Sequence, residues 1–184
     1  HLIARYCKKR NIHFIHASGT IINGLHKTYS KRTKFKPVNH YGKSKLLGEK
    51  LILKTKCNYT ILRFGGIYGK NGPDHLGINK FIKIAQKRKK IIFNGNKESL
   101  RNYIFVKDAA NFILKCLKNK QYGVFYVGGE IISFEKMLKH ICKKFDNKKN
   151  LFFNKEKIKL DNQIIKSDKL VKFTKFSKSL RLIK

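Results

Sequence analysis

His13-Phe14-Ile15-His16-Ala17, closed by Ser18-Gly19-Thr20, is followed after a loop by Tyr41-Gly42-Lys43-Ser44-Lys45. The first run, from Ile12 to Ala17, is short, apolar and rich in β-formers, and it ends in turn residues, so it reads as a strand. From Tyr41 the apolar period changes to that of a helix, with Leu47 and Leu51 on one face and Leu46 and Leu53 beside it, until Lys56. A strand feeding a helix in this way is one step of an α/β fold. Tyr41 and Lys45 are four positions apart and therefore share a helical face. A phenol titrates near pH ~10 in water and is a poor base at neutral pH until a nearby cation stabilises its phenolate. Lys45 is spaced for that task.

Working outward, the alternation repeats. Residues 1–10 read as the last turns of a helix, with Leu2, Ile3 and Tyr6 at helical spacing and a basic end at Lys8-Lys9-Arg10. A loop is expected from Ser18 to Pro37. Tyr59 to Phe64 is the next strand, and Gly65-Gly66, Tyr68-Gly69 and Asn71-Gly72-Pro73-Asp74 form a long turn-rich connection of the kind that lines sites. A helix carrying Ile78, Phe81, Ile82 and Ala85 precedes the strand Ile91-Ile92-Phe93. Tyr103 to Val106 is a strand, after which Asp108 is expected to cap a helix with Ala109, Phe112, Ile113, Cys116 and Leu117 on its face. The strand Gly123 to Val127 ends at Gly128-Gly129, and Ser133 caps a helix presenting Phe134, Met137, Leu138, Ile141, Cys142 and Phe145. Leu151 to Phe153 and Ile158 to Leu160 are short strand candidates. The fold class is α/β, a doubly wound parallel sheet covered by helices, with a small second region. Residues 1–70 are assigned to the sheet domain and 71–184 mainly to the second region, with 103–129 returning to the sheet.

Forty-four Lys+Arg against ten Asp+Glu give a formal charge of +34, which raises a basic nucleic-acid-binding module as an alternative reading. The excess is lysine and spread along the whole chain, among many Ile, Asn, Phe and Tyr, whereas base readers concentrate Arg on one element, so nucleic acid is disfavoured. At 184 residues and 41% hydrophobic the chain is long and apolar enough to bury a core. No run approaches the ~18 apolar residues of a membrane helix and no secretion signal opens the chain, which gives a cytoplasmic expectation without membrane partners. Cys7, Cys57, Cys116 and Cys142 have no paired metal spacing and read as reduced core thiols, and no metal is expected. His16, His40 and His75 lack a carboxylate or cysteine partner at an interpretable spacing. Glu49 reads as half of a helix-surface ion pair.

Tyr41-x-x-x-Lys45 is not specific by itself, but four further segments arrive in fixed order. They are Ser18-Gly19-Thr20 with Gly24, Leu62-Arg63-Phe64-Gly65-Gly66-Ile67-Tyr68-Gly69, Arg101-Asn102-Tyr103-Ile104-Phe105-Val106-Lys107-Asp108, and the strand to Gly128-Gly129. The ordered set resembles the extended short-chain dehydrogenase/reductase superfamily, in its NAD-dependent epimerase/dehydratase branch acting on nucleotide sugars. The likeness is strong from residue 2 to about 145, and Ser167-Asp168-Lys169-Leu170 and Ser179-Leu180 are similar to that family's closing segment. It implies the C-terminal part of a doubly wound, Rossmann-type parallel sheet with a small α+β substrate-binding region.

The resemblance implies Tyr41 as the acid/base that exchanges a proton with a sugar hydroxyl, and Lys45 as the group that holds the nicotinamide ribose. It implies a Ser or Thr hydroxyl against the substrate oxygen. Counting back from Gly24 puts Gly19 at that position, so Ser18 or Thr20 serves, with Ser18 favoured. Phe64 and Gly65 would lie against the nicotinamide, Gly66 stands where the family often has a substrate-binding Asn, and Asn79 and Arg101 would meet the nucleotide diphosphate. Dehydratases of the family follow the hydroxyl with an Asp-Glu pair; Thr20-Ile21 stands here, so epimerase or 4-keto reductase chemistry fits better.

The cofactor implied is NAD, with NADP open, because the glycine-rich turn and the acidic residue that choose between them are absent from these residues. About three strand-helix units, on the order of a hundred residues, would precede the helix at residues 1–10, so a fragment with weak cofactor affinity is expected. Gly48 and the apolar faces of the helix after Tyr41 point to a homodimer.

Overall fold

The computed structural model describes residues 1–154 and 158–183. A three-stranded parallel sheet forms its base. Strand β1 (Phe14–Gly19) pairs with β3 (Tyr59–Phe64), and β3 with β7 (Gly123–Val127), in register such that Ser18 lies opposite Arg63, Gly19 opposite Phe64, and Phe64 opposite Val127. The central strand is covered on both faces, as parallel strands require. The alternation of the pleat sends Ile61 to one side, with Ala4, Ile52 and Cys57, and Leu62 and Phe64 to the other, with Ile104, Phe112, Cys116 and Phe125. Full burial of each such side chain is worth about 1.5–3 kcal/mol, which makes β3 the anchor of the sheet.

Helices α1 (Leu2–Lys9) and α2 (His40–Thr55) cover the Ile61 face, and α4 (Val106–Lys118) covers the Leu62 face. A second sheet combines β4 (Gly66–Tyr68), β6 (Leu100–Phe105) and β8 (Glu130–Ser133), parallel between the first two and antiparallel between the last two. Around it α3 (Gly77–Gln86), α5 (Phe134–Lys144) and α6 (Phe176–Arg181) bury Tyr68, Ile78, Ile82, Met137, Leu138, Phe176 and Leu180. Two small parallel pairs complete the fold: β5 (Ile91–Phe93) with β9 (Leu151–Phe153), and β2 (Thr28–Tyr29) with β10 (Ile164–Ile165).

Several expectations change. The loop before Pro37 contains β2, and the strand sought at Ile158 to Leu160 forms instead at Ile164–Ile165, where it pairs with β2. Within residues 103–129, β7 joins the parallel sheet and α4 packs on it, while β6 pairs with β4 and β8. Ser133 caps α5 as expected, accepting from the Lys136 N–H at 3.2 Å. Asp108 is not a cap. Its buried carboxylate accepts from the Thr174 backbone N–H at 2.8 Å and the Thr174 hydroxyl at 2.9 Å, clamping the closing segment onto α4. That segment also lends the Ser167 hydroxyl to the Gly128 N–H at 2.6 Å and the Asp168 carboxylate to the Tyr126 N–H at 2.8 Å.

Glu49 is the largest departure. It is 1% exposed and grips Arg63 of β3 through its Nε, at 3.2 Å to each carboxylate oxygen, and through Nη2 at 2.6 Å. Arg63 also donates to the Tyr126 hydroxyl at 2.8 Å, which in turn donates to Asn23 Oδ1 at 3.1 Å. The Asn23 amide donates to Thr33 O and Lys34 O. A satisfied buried network of this kind fixes one arrangement of α2, β3, β7 and the loop after β1. All four cysteines are buried and unpaired.

Candidate active site

Of the candidate residues, Ser18, Thr20, Tyr41, Lys45, Phe64 and Gly65 lie around the C-terminal ends of β1 and β3, where open parallel sheets bind their ligands. Helix α2 starts there because the Asn39 side chain accepts from the Gly42 N–H at 2.8 Å, capping its first turn. Gly42 is needed at this point, since a Cβ there would stand 3.0 Å from Ile21 O and 3.0 Å from the Pro37 ring. One residue earlier, Tyr41 is 60% exposed, its ring open to solvent. Lys45 Nζ lies 5.6 Å from the centre of that ring and donates to Ala17 O of β1 at 3.0 Å. The ammonium is thus tethered between the phenol and the strand end.

Ser18 follows Ala17 on β1. It is 8% exposed, and its Oγ is one of three buried side-chain polar atoms without a hydrogen-bond partner among the described residues, with His16 Nε2 and His26 Nε2. A buried hydroxyl left in this state costs roughly 1–3 kcal/mol, and Ser18 is one residue beyond the Ala17 carbonyl that Lys45 contacts. Thr20 opens the short 3-10 turn Thr20–Asn23 and lines a cavity of about 210 Å³ with Ile21, Gly24, Leu25, Tyr29, Val38 and Gln163. His16 also lies on β1 beside α2; burial, then the Lys45 charge, hold its pKa below the ordinary 6.5.

Other expected residues sit differently. The Phe64 ring is buried in the cluster under α4. Gly65 donates its N–H to Val127 O at 2.9 Å, and a Cβ on it would meet Ile165 Cδ1 at 2.7 Å, so the bulk excluded there is excluded by this chain's own closing segment. Gly66 pairs with Tyr103 in the second sheet. Asn79 is 2% exposed; its amide donates to Ile67 O at 3.2 Å and accepts from the Gly69 N–H at 3.4 Å, bracing the loop after β4.

Arg101, on β6, is partly exposed. Its Nη2 donates to Asp161 Oδ2 at 2.6 Å, its Nη1 to Leu100 O at 3.0 Å and to Asp161 O, and its plane lies 5.2 Å from the Phe134 ring centre. Gln163 Nε2 donates to the same Asp161 oxygen at 3.0 Å, and the Tyr29 hydroxyl sits 3.2 Å from Gln163 Oε1 and 3.0 Å from Gly24 O. This chain of contacts joins Arg101 to the cavity beside Thr20. Asp161, Gln163 and Tyr29 went unnoticed in the sequence because their partners are remote along the chain.

Among solved structures, this fold superposes on the UDP-glucuronic acid 4-epimerase of Bacillus cereus in complex with NAD, at TM-score 0.84 and 20% identity, over 98% of this chain and 63% of that one. It also superposes on the dTDP-glucose 4,6-dehydratase of Bacillus anthracis str. Ames in complex with NAD, at TM-score 0.79 and 16% identity, over 97% and 64% of the two chains. In sequence it is 27% identical over 117 residues to an uncharacterised UDP-glucose epimerase of Bacillus subtilis (strain 168), 60% of this chain and 37% of that protein. It is 31% identical over 84 residues to the GDP-6-deoxy-D-talose 4-dehydrogenase of Aggregatibacter actinomycetemcomitans, 45% of this chain and 29% of that protein. The chain therefore spans well under two thirds of these curated relatives. The sequence profile of the RmlD substrate binding domain family covers residues 1–161, a stretch that includes β1, α2 and Arg101, and the chain belongs to that family.

Proposed function

We propose that these residues form the catalytic part of an NAD-dependent nucleotide-sugar epimerase. The observation that carries this reading is Lys45, held between the Tyr41 ring and Ala17 O, one residue before a buried Ser18 whose hydroxyl has no partner among the described residues. Tyr41 Oη takes the proton of a sugar hydroxyl as the attached carbon is oxidised, and returns it after the ring presents its other face. Lys45 holds its ammonium over the Tyr41 ring, 5.6 Å from its centre, and has further N–H donors for a ribose hydroxyl. Ser18 Oγ donates to or accepts from the reacting sugar oxygen, which satisfies it. Arg101 takes the diphosphate, a task suited to a planar guanidinium.

The donor set of Lys45, Tyr41 and Ser18 fits the ribose and nicotinamide end of NAD, which when bound supplies the hydride acceptor and donor. Thr20-Ile21 offers no carboxylates, so loss of water has no acid and base here and dehydratase chemistry is disfavoured. A 4-keto reductase is the second reading, favoured by the likeness to the talose 4-dehydrogenase. We assign a cytoplasmic setting on the four buried, unpaired cysteines. Among the described residues no helix is long and apolar enough to cross a membrane. We also propose a homodimer through α1 and α2, whose Leu2, Ile3, Tyr6, Leu47 and Leu53 are exposed; sedimentation of a monomer at all concentrations would refute it.

The test is conversion of UDP-glucose, with NAD supplied, by the wild-type protein and its Tyr41→Phe and Ser18→Ala variants. Loss of about 10²-fold or more in Tyr41→Phe, with nucleotide binding retained, is expected. An unchanged rate overturns the assignment.

A further inference from the structure

Asp161 stands where a ligand's anion would be wanted. Its carboxylate occupies the Nη2 edge of Arg101 at 2.6 Å, although Asp161 is itself 62% exposed while Arg101 is 20% exposed. The backbone around it is zipped along β6. The Asp161 N–H donates to Ser99 Oγ at 2.9 Å, the Leu100 N–H to Asn162 Oδ1 at 2.8 Å, the Gln163 N–H to Leu100 O at 3.0 Å, and Arg101 and Gln163 form a parallel bridge. Asp161 is thus presented to Arg101 by main-chain contacts that do not depend on its carboxylate. Arg101 in turn is held by Leu100 O, by Asp161 O and by the Phe134 ring, so its position does not depend on that carboxylate either. What the carboxylate adds is charge.

We propose that Asp161 is a built-in counter-anion, which neutralises Arg101 in the empty protein and is displaced from it by the diphosphate of an incoming nucleotide. The inference rests on Arg101 being the diphosphate residue. Like charges at this spacing repel, so a phosphate reaching Arg101 must push the Asp161 side chain aside, and the exposed face of that side chain leaves it room to swing into water. Gln163 then loses its acceptor on Asp161. Because Gln163 also touches the Tyr29 hydroxyl and lines the cavity beside Thr20, arrival of the diphosphate is communicated to the sugar end of the site. Asp161 in this role sets nucleotide affinity and discriminates against weakly charged anions that cannot compete with it.

The experiment is calorimetric titration of the whole chain with UDP, and separately with inorganic pyrophosphate, at constant ionic strength. Asp161→Asn keeps an oxygen acceptor for Arg101 and Gln163 and removes the charge, and it is expected to tighten UDP by roughly tenfold, which is about 1.4 kcal/mol. Arg101→Met is expected to weaken UDP, and in the double variant the gain from Asp161→Asn must vanish, an outcome that a general loosening of the fold would not give. If Arg101→Met leaves UDP affinity unchanged, the diphosphate assignment fails and the counter-anion with it. If Arg101→Met weakens binding but Asp161→Asn leaves it equal or weaker, the diphosphate assignment stands and the counter-anion is overturned: Asp161 then positions Arg101 instead.

Discussion

Removing Glu49 should cost far more stability than its place in a lysine-rich helix suggests. Glu49 is 1% exposed and Arg63 5%, and the carboxylate makes the contacts at 3.2, 3.2 and 2.6 Å that hold the guanidinium away from water. In Glu49→Ala the guanidinium keeps, among the described residues, the Tyr126 hydroxyl at 2.8 Å and the faces of Phe35 and Tyr126 at 4.8 and 5.1 Å. Breaking one partner of a buried pair costs about 3–5 kcal/mol, against about 0–1 kcal/mol for a surface pair. For a chain of this length each kcal/mol moves the melting temperature by about 2–4 °C, so the expected fall is roughly 6–20 °C. Glu49→Gln, which keeps an acceptor, should fall between wild type and Ala. Replacing Glu49 and Arg63 together by Met should recover part of the loss, because no unpaired charge is then left inside. Urea unfolding followed by far-ultraviolet circular dichroism measures all four. A loss below about 1 kcal/mol in Glu49→Ala would refute the buried-pair argument.

Other substitutions separate structure from chemistry. Ser18→Ala removes a buried hydroxyl that has no partner among the described residues, so thermal unfolding should show equal or slightly higher stability while sugar turnover falls. Asn39→Ala removes the cap of α2 and should cost about 0.5–2 kcal/mol, with faster amide hydrogen exchange in the first turn around Tyr41. His13 and His16 are both held below their ordinary 6.5 by burial, so between the folded and unfolded values the unfolded chain binds more protons. Their contribution is therefore fully present above about pH 6.5 and is lost as the pH falls below it, and His16→Asn should flatten that part of a pH–stability curve.

The local periods carried the large elements: a parallel β1–β3–β7 sheet and the helices on it follow from apolar runs and helical spacing that lie within a few residues of one another. The Tyr41–Lys45 pair was legible for the same reason, since one helical turn determines it. Contacts closed by remote residues were not. Glu49 looks like a helix-surface charge until Arg63 arrives from the next strand, and Asp108 looks like a cap until Thr174 folds back on it. The two-residue strands Thr28–Tyr29 and Ile164–Ile165 have no period to read and exist only as each other's partner. The pattern identified β6 as a strand but not its sheet, which is decided by β4 and β8. Asn79 matches its neighbours in sequence, yet the loop after β4 consumes both ends of its amide.

Hydride exchange itself is the most direct probe of the site. Mixing the protein with saturating NAD and UDP-glucose and following the transient of reduced-nicotinamide fluorescence should show a wild-type rate that drops by about 10²-fold or more in Tyr41→Phe, and likewise falls in Lys45→Met. A wild-type rate in Tyr41→Phe, with the Lys45 contact to Ala17 intact, would contradict the account.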